Sequence, residues 1–121
     1  MTENHEIEKY GVAQLAEHLR SKGHNVRVSD KKTYDLIVDN QYAEVKTKAH
    51  GWSKFDFISL TQNQHNELGK ELKKIYVVLN AKNADKIEFW EIDAKDLIDS
   101  NYNTIIHYEW NKGQIAHLRK A

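Results

Sequence analysis

The chain has no proline, no cysteine and only five glycines in 121 residues. Without cysteine there are no disulfides and no thiolate metal ligands, which removes disulfide-stapled scaffolds and zinc–thiolate modules. Without proline nothing punctuates a domain boundary, and repeats and low-complexity tracts are absent too. One domain over residues 1–121 is therefore expected, long enough to bury a real core. An excess of either charge is also missing, since 18 Lys and Arg stand against 18 Asp and Glu. That balance argues against binding nucleic acid through bulk basicity, though it leaves room for local patches. No segment approaches the roughly 20 apolar residues needed to span a bilayer. The start, "MTENHEIEKYG", is polar and mixed in charge, unlike a signal peptide, so no membrane association and a cytoplasmic location are expected. Seven histidines are present, but they form no zinc-ligand spacing.

What is present reads as alternating helices and strands. Ile7, Val12, Leu15, Ala16 and Leu19 recur at the helical period, which predicts a helix over residues 6–22, with Gly23 just past its C-cap. "NVRVS", "TYDLIVD" and "QYAEVKTK" read as three strands, the last two joined near Asp39, Asn40 and Gln41. A loop over 49–55 and an extended "FDFISL" follow. Thr61 is the expected N-cap of a helix over 62–74, with Leu68 and Leu72 on its buried side and Gly69 as its weak point. "KIYVVLN" reads as a strand buried on both faces, and "IEFWEI" as another. "DAKDLIDS" suggests a short helix capped by Asp93. "NTIIHYEW" and "QIAHLR" read as a terminal hairpin around "NKG". The fold class is α/β in the broad sense (α+β): a mixed central sheet flanked by helices.

The hairpin over residues 34–48, "YDLIVDNQYAEVKTK", carries the chemistry. Strand side chains alternate faces, so Glu44 and Lys46 share one. With Asp39 and Asn40 at the tip of a two-residue loop, Asp35 lies opposite Glu44. With Asn40 and Gln41 there, Asp35 lies opposite Lys46 and diagonal to Glu44. A three-residue loop sends Asp35 to the other face unless a bulge intervenes. On either two-residue loop, Leu36, Val38, Ala43 and Val45 take the opposite face as core. Two close carboxylates repel and resist desolvation, and a hard divalent cation relieves both problems. A cation there activates water and stabilises developing phosphate charge, and a neighbouring lysine assists. An ordinary amphipathic hairpin accounts for the same pattern, so the spacing alone does not decide.

Asp35, eight intervening residues, then Glu44-Val45-Lys46 resembles the core motif of the PD-(D/E)xK nuclease superfamily. Tyr34 stands where that motif has proline. A leading helix ending in "LRSKGHNVRV", then the hairpin, a helix and a strand, is similar to the layout of Holliday junction resolvases and small Mrr-like nucleases. The resemblance spans residues 6 to about 92. It implies a restriction endonuclease-like fold and Mg²⁺- or Mn²⁺-dependent endonuclease activity, with DNA the expected substrate. Asp35, Glu44 and the Val45 carbonyl would be metal ligands and Lys46 the catalytic lysine. Gln64 would be the helix glutamine found near such sites, with Gln62 second. The first-helix glutamate of many relatives falls at Val12 here. Glu8, one turn earlier, would replace it; Glu17 sits at a poorer angle.

Lys48, Trp52 and Lys54 follow the motif directly and are expected to contact nucleic acid, Trp52 by stacking on a base or over a sugar. A Trp covering the core edge is the alternative for Trp52. Cutting a duplex calls for paired sites, so a homodimer is expected, with Ile105, Ile106, Tyr108 and Trp110 as its candidate interface. The competing function is a nuclease-fold module without catalysis, binding nucleic acid or protein.

Overall fold

The computed structural model describes residues 2–52 and 57–100. The terminal hairpin, the proposed interface and Lys54 lie outside those residues. Helix α1 (Thr2–Ser21) leads into β1 (Val26–Val28), β2 (Leu36–Val38) and β3 (Gln41–Thr47). Then come α2 (Gln62–Glu67), β4 (Leu72–Leu79), a 3₁₀ turn (Ala84–Lys86), β5 (Glu88–Asp93) and α3 (Ala94–Asp99). The five strands form one sheet in sequence order. β3 and β4 run parallel, and the other neighbours are antiparallel. This is an α+β fold with a mixed sheet, as expected. No helix among the described residues is long and apolar enough to cross a membrane.

The α1 stripe is buried as its periodicity predicts. Leu15, Ala16 and Leu19 pack on Leu36, Val38, Ala43, Val45, Tyr76 and Val78. The helix ends in a left-handed residue, Gly23, at φ +93°. Gly23 N–H donates to Arg20 O and His24 N–H to Leu19 O, the paired bonds of a Schellman cap. On the other face of the sheet, Tyr34, Leu68, Leu72, Ile75 and Ala94 form a second cluster.

Two expectations change. The helix over 62–74 stops at Glu67, because Gly69 adopts φ +82° and its N–H turns back to Leu72 O. β4 therefore begins at Leu72, and the two leucines assigned to one helical face are buried as the C-cap of α2 and the first residue of β4. Asp93 is the N-cap of α3 by position, but its carboxylate makes no cap bond and pairs with Lys74. The cation of Lys74 is the stronger partner for an ionised acid.

Candidate active site

The turn decides where the hairpin's acids go. Val38 pairs with Gln41, leaving a two-residue loop of Asp39 (φ +50°) and Asn40 (φ +67°). Both residues are left-handed, as the tight hairpin turn that suits strand twist requires, and Asp and Asn tolerate that conformation. Leu36 then pairs with Ala43. Asp39 and Asn40 are thus the tip of the loop, as in the first of the alternatives above, and Asp35 lies close enough to Glu44 for its charge to act on it.

Asp35 sits where β2 leaves β3. Its N–H donates to Ala43 O at 3.1 Å, the last backbone rung of the hairpin. The next N–H on that edge of β3, from Val45, donates to Asp35 Oδ2 at 2.8 Å. A side chain thus takes over from the missing strand and fixes the carboxylate beside Glu44. The N–H and C=O of one strand residue point the same way, so the Val45 carbonyl also faces the open edge.

Glu44 is only 8 % exposed and lies next to fully buried Ile75 of β4. Burial, followed by the charge of Asp35, pushes its carboxyl up to about 7. Lys46 Nζ, 3.2 Å from Glu44 Oε2, pulls the other way without cancelling the effect. One lysine beside two close acids leaves net negative charge in a dehydrated place. Asp35, Glu44 and the Val45 carbonyl are the residues that could hold a hard divalent cation, which accepts one or two carboxylates and keeps its waters.

These groups face a cleft of about 820 Å³, within the size range of small-ligand sites. Glu8, Lys9 and Val12 of α1 line it, as do Phe57, Ile58 and Ser59. Glu8 is exposed and faces the same cleft as Val12, whereas Glu17 does not line it. Among the described residues no three Asp, Glu or His side chains gather closely enough to hold a metal, so Glu8 stands apart from the Asp35–Glu44 pair.

α1 reaches the cleft because Gly11 lies against Thr47, the last residue of β3; a Cβ at position 11 would overlap the threonine side chain. A glycine inside an otherwise helical stretch was the available signal for this close approach.

The remaining expected site residues are spread more widely. Gln64 is buried in the capping box of α2, and its amide is engaged at both ends. Oε1 accepts from Thr61 N–H at 3.1 Å, and Nε2 donates to Thr33 O at 2.9 Å. It does not line the cleft but braces the loop leading to Asp35. Tyr34, whose hydroxyl donates to Glu71 Oε1 at 3.0 Å, braces the same loop. Gln62 is exposed at the start of α2. Lys48 lines the cleft, and its Nζ donates to Phe57 O at 3.0 Å. Trp52 packs edge-on against Trp90, with ring centres 5.1 Å apart, and is not on the cleft wall. The exposed aromatic on the cleft is Phe57, which lies in the segment expected only as an extended lead-in.

The family model described as "Protein NO VEIN, C-terminal" matches residues 7–90, from α1 through β5, and the chain belongs to that family. No curated protein and no solved structure matches the chain.

Proposed function

We propose that this member of the NO VEIN C-terminal family is a divalent-metal-dependent endonuclease of the PD-(D/E)xK type, acting on DNA. The observation that carries the reading is the grouping of Asp35, Glu44 and Lys46 at the open end of the hairpin, with Glu44 buried against a second acid. A fold stabilises a buried carboxylate only where something compensates it. Here the protein supplies one lysine, and the rest of the compensation is left to a ligand.

Mg²⁺ or Mn²⁺ held by Asp35, Glu44 and the Val45 carbonyl would supply an acidified water and charge neutralisation at phosphate. The chain's own contributions follow from geometry. Asp35 is immobilised by the Val45 N–H, so it presents a fixed oxygen to the cleft. Lys46 stands beside the acids and, once Glu44 has another partner, can turn its ammonium to a phosphate oxygen or an attacking water. Glu8 and Lys9 on α1 wall the site.

The test is cleavage of supercoiled plasmid and of branched and linear oligonucleotides with Mg²⁺ or Mn²⁺. Cleavage is expected from the wild type, and loss from Asp35→Ala and Lys46→Ala with circular dichroism unchanged. Absence of both cleavage and Mn²⁺ binding in the wild type would sink the proposal. Mn²⁺ binding without cleavage would favour the noncatalytic binding module, to which the internal Lys46–Glu44 pair also lends support.

A further inference from the structure

One exposed aromatic ring, that of Phe57, stands at the rim of the cleft. Phe57 is 63 % exposed, the highest value among the large aromatic residues described. Phenylalanine has no polar handle that would account for such exposure, and it lines the same cleft as Asp35, Glu44 and Lys46. Its backbone carbonyl accepts from Lys48 Nζ at 3.0 Å, so an ammonium is held against the same residue. Lys48 follows Lys46 by two residues along the strand direction, roughly 6–7 Å at strand rise. Lys9 of α1 lines the same cleft and adds a further cation, and Val28, 78 % exposed, adds a second apolar surface. An exposed apolar ring in a cleft that also holds lysines suits the phosphates and base faces of an unpaired strand. A duplex buries its base faces in the stack and would leave Phe57 with sugar and backbone only.

We infer that the cleft takes single-stranded nucleic acid, with an unpaired base stacked on Phe57 and the adjoining phosphate on Lys48. This rests on the nuclease reading for the position of the acids, but its test does not depend on cleavage. Equilibrium binding of a fluorescein-labelled single-stranded DNA oligonucleotide, and of the same sequence as duplex, is measured in EDTA with the full chain. Phe57→Ala should weaken single-strand binding about 5- to 150-fold, the range of one lost base–aromatic stack, and leave duplex binding unchanged. Phe57→Trp should retain binding. Because the ring is exposed, neither variant should alter the thermal midpoint. An oligonucleotide series with one abasic position scanned along it completes the cycle. At one position the missing base should weaken wild-type binding and leave Phe57→Ala unaffected.

Equal losses on single strand and duplex would overturn the inference, as would no loss on either, or abasic effects identical in both proteins. A nuclease that cuts but shows no Phe57 dependence would leave the catalytic reading standing and remove this one. Stacking without any cleavage would do the reverse.

Discussion

The β2–β3 hairpin carries an acid at each end, and the two ends treat them oppositely. At the closed end Asp39 is exposed. Its Oδ2 lies 2.7 Å from His24 Nδ1, and its Oδ1 accepts from Asn25 N–H at 2.9 Å. The bond to His24, followed by the one to Asn25, holds the Asp39 carboxyl below the usual aspartate range. At the open end Glu44 is buried beside Asp35, and its carboxyl is pushed up to about 7. The closed end gives its acid two donors and water, which is what a turn needs for stability. The open end withholds water and supplies one cation for two acids, an arrangement that costs stability unless a ligand offsets it.

The largest break in that comparison is chemical. Removing Asp35 or Lys46 at the open end should lower metal-dependent cleavage by about 10²–10³-fold, the range seen when one preorganised charge-stabilising group is lost. Asp39→Ala at the closed end should leave the cleavage rate within a factor of about two. Initial rates on a fixed oligonucleotide at saturating Mg²⁺ compare the three. If Asp39→Ala matched Asp35→Ala, the two ends would not be functionally distinct.

Glu44 sharpens the contrast through pH. Its folded pKa, about 7, lies above the ordinary 4.5, so the folded state binds its proton more tightly than the unfolded chain does. Stability without metal should therefore be highest below the ordinary value and fall as pH rises from 4.5 to about 7. The loss should be on the order of 3 kcal/mol. Glu44→Gln should flatten that decline and raise stability without metal at pH 8 by about 2 kcal/mol, while abolishing the stabilisation by Mn²⁺. Urea midpoints at pH 5 and pH 8, with and without Mn²⁺, provide the check. A wild type equally stable at both pH values would show that Glu44 is already compensated.

The legible parts were those governed by local rules. The α1 stripe, its glycine cap and the apolar run of β4 follow from periodicity and composition. Turn parity then made the grouping of Asp35 and Glu44 depend on loop length, and the two left-handed residues Asp39 and Asn40 answered that question. Less legible was anything depending on contact between distant segments. Gln64 had the right neighbourhood for a site residue. Its bond to Thr33, 31 positions away, could not be read from a helix pattern. For Trp52, which follows the motif in sequence, the sequence leaves both a base contact and a place over the core edge open. Its pairing with Trp90 on β5 depends on the strand order. The early end of α2 was half legible, since Gly69 was a visible weakness but its left-handed turn was not.

The seating of α1 tests the open end by geometry alone. Gly11→Ala would drive a methyl group into Thr47, and such overpacking costs about 1–3 kcal/mol against the small gain in helix propensity. A lower Tm is expected. Cleavage should fall as well, because Glu8 and Lys9 move with the helix, while the His24–Asp39 contact at the closed end should persist in NMR spectra. Thr47→Ser, which removes one methyl from the crowded contact, should recover part of the Tm in the double variant.

The smallest effect belongs to Asp39 itself. Asp39→Asn keeps a residue that tolerates the left-handed turn, so the hairpin register and the Asp35–Glu44 pairing should survive. What it removes is the ionised partner of His24 and the charge-assisted bond to Asn25 N–H. Because Asp39 is held below its ordinary pKa, its contribution is present at neutral pH and is lost as pH falls through the aspartate range. The variant should therefore show a slightly lower Tm than the wild type at pH 7, and the gap should shrink with added salt and close on acidification. That trend runs opposite to the one expected of Glu44, whose cost grows as pH rises. Two acids of one hairpin, titrated in parallel in the Asp39→Asn and Glu44→Gln variants, should thus give stability differences of opposite sign. If both differences had the same sign, the open end would be as well compensated as the closed one.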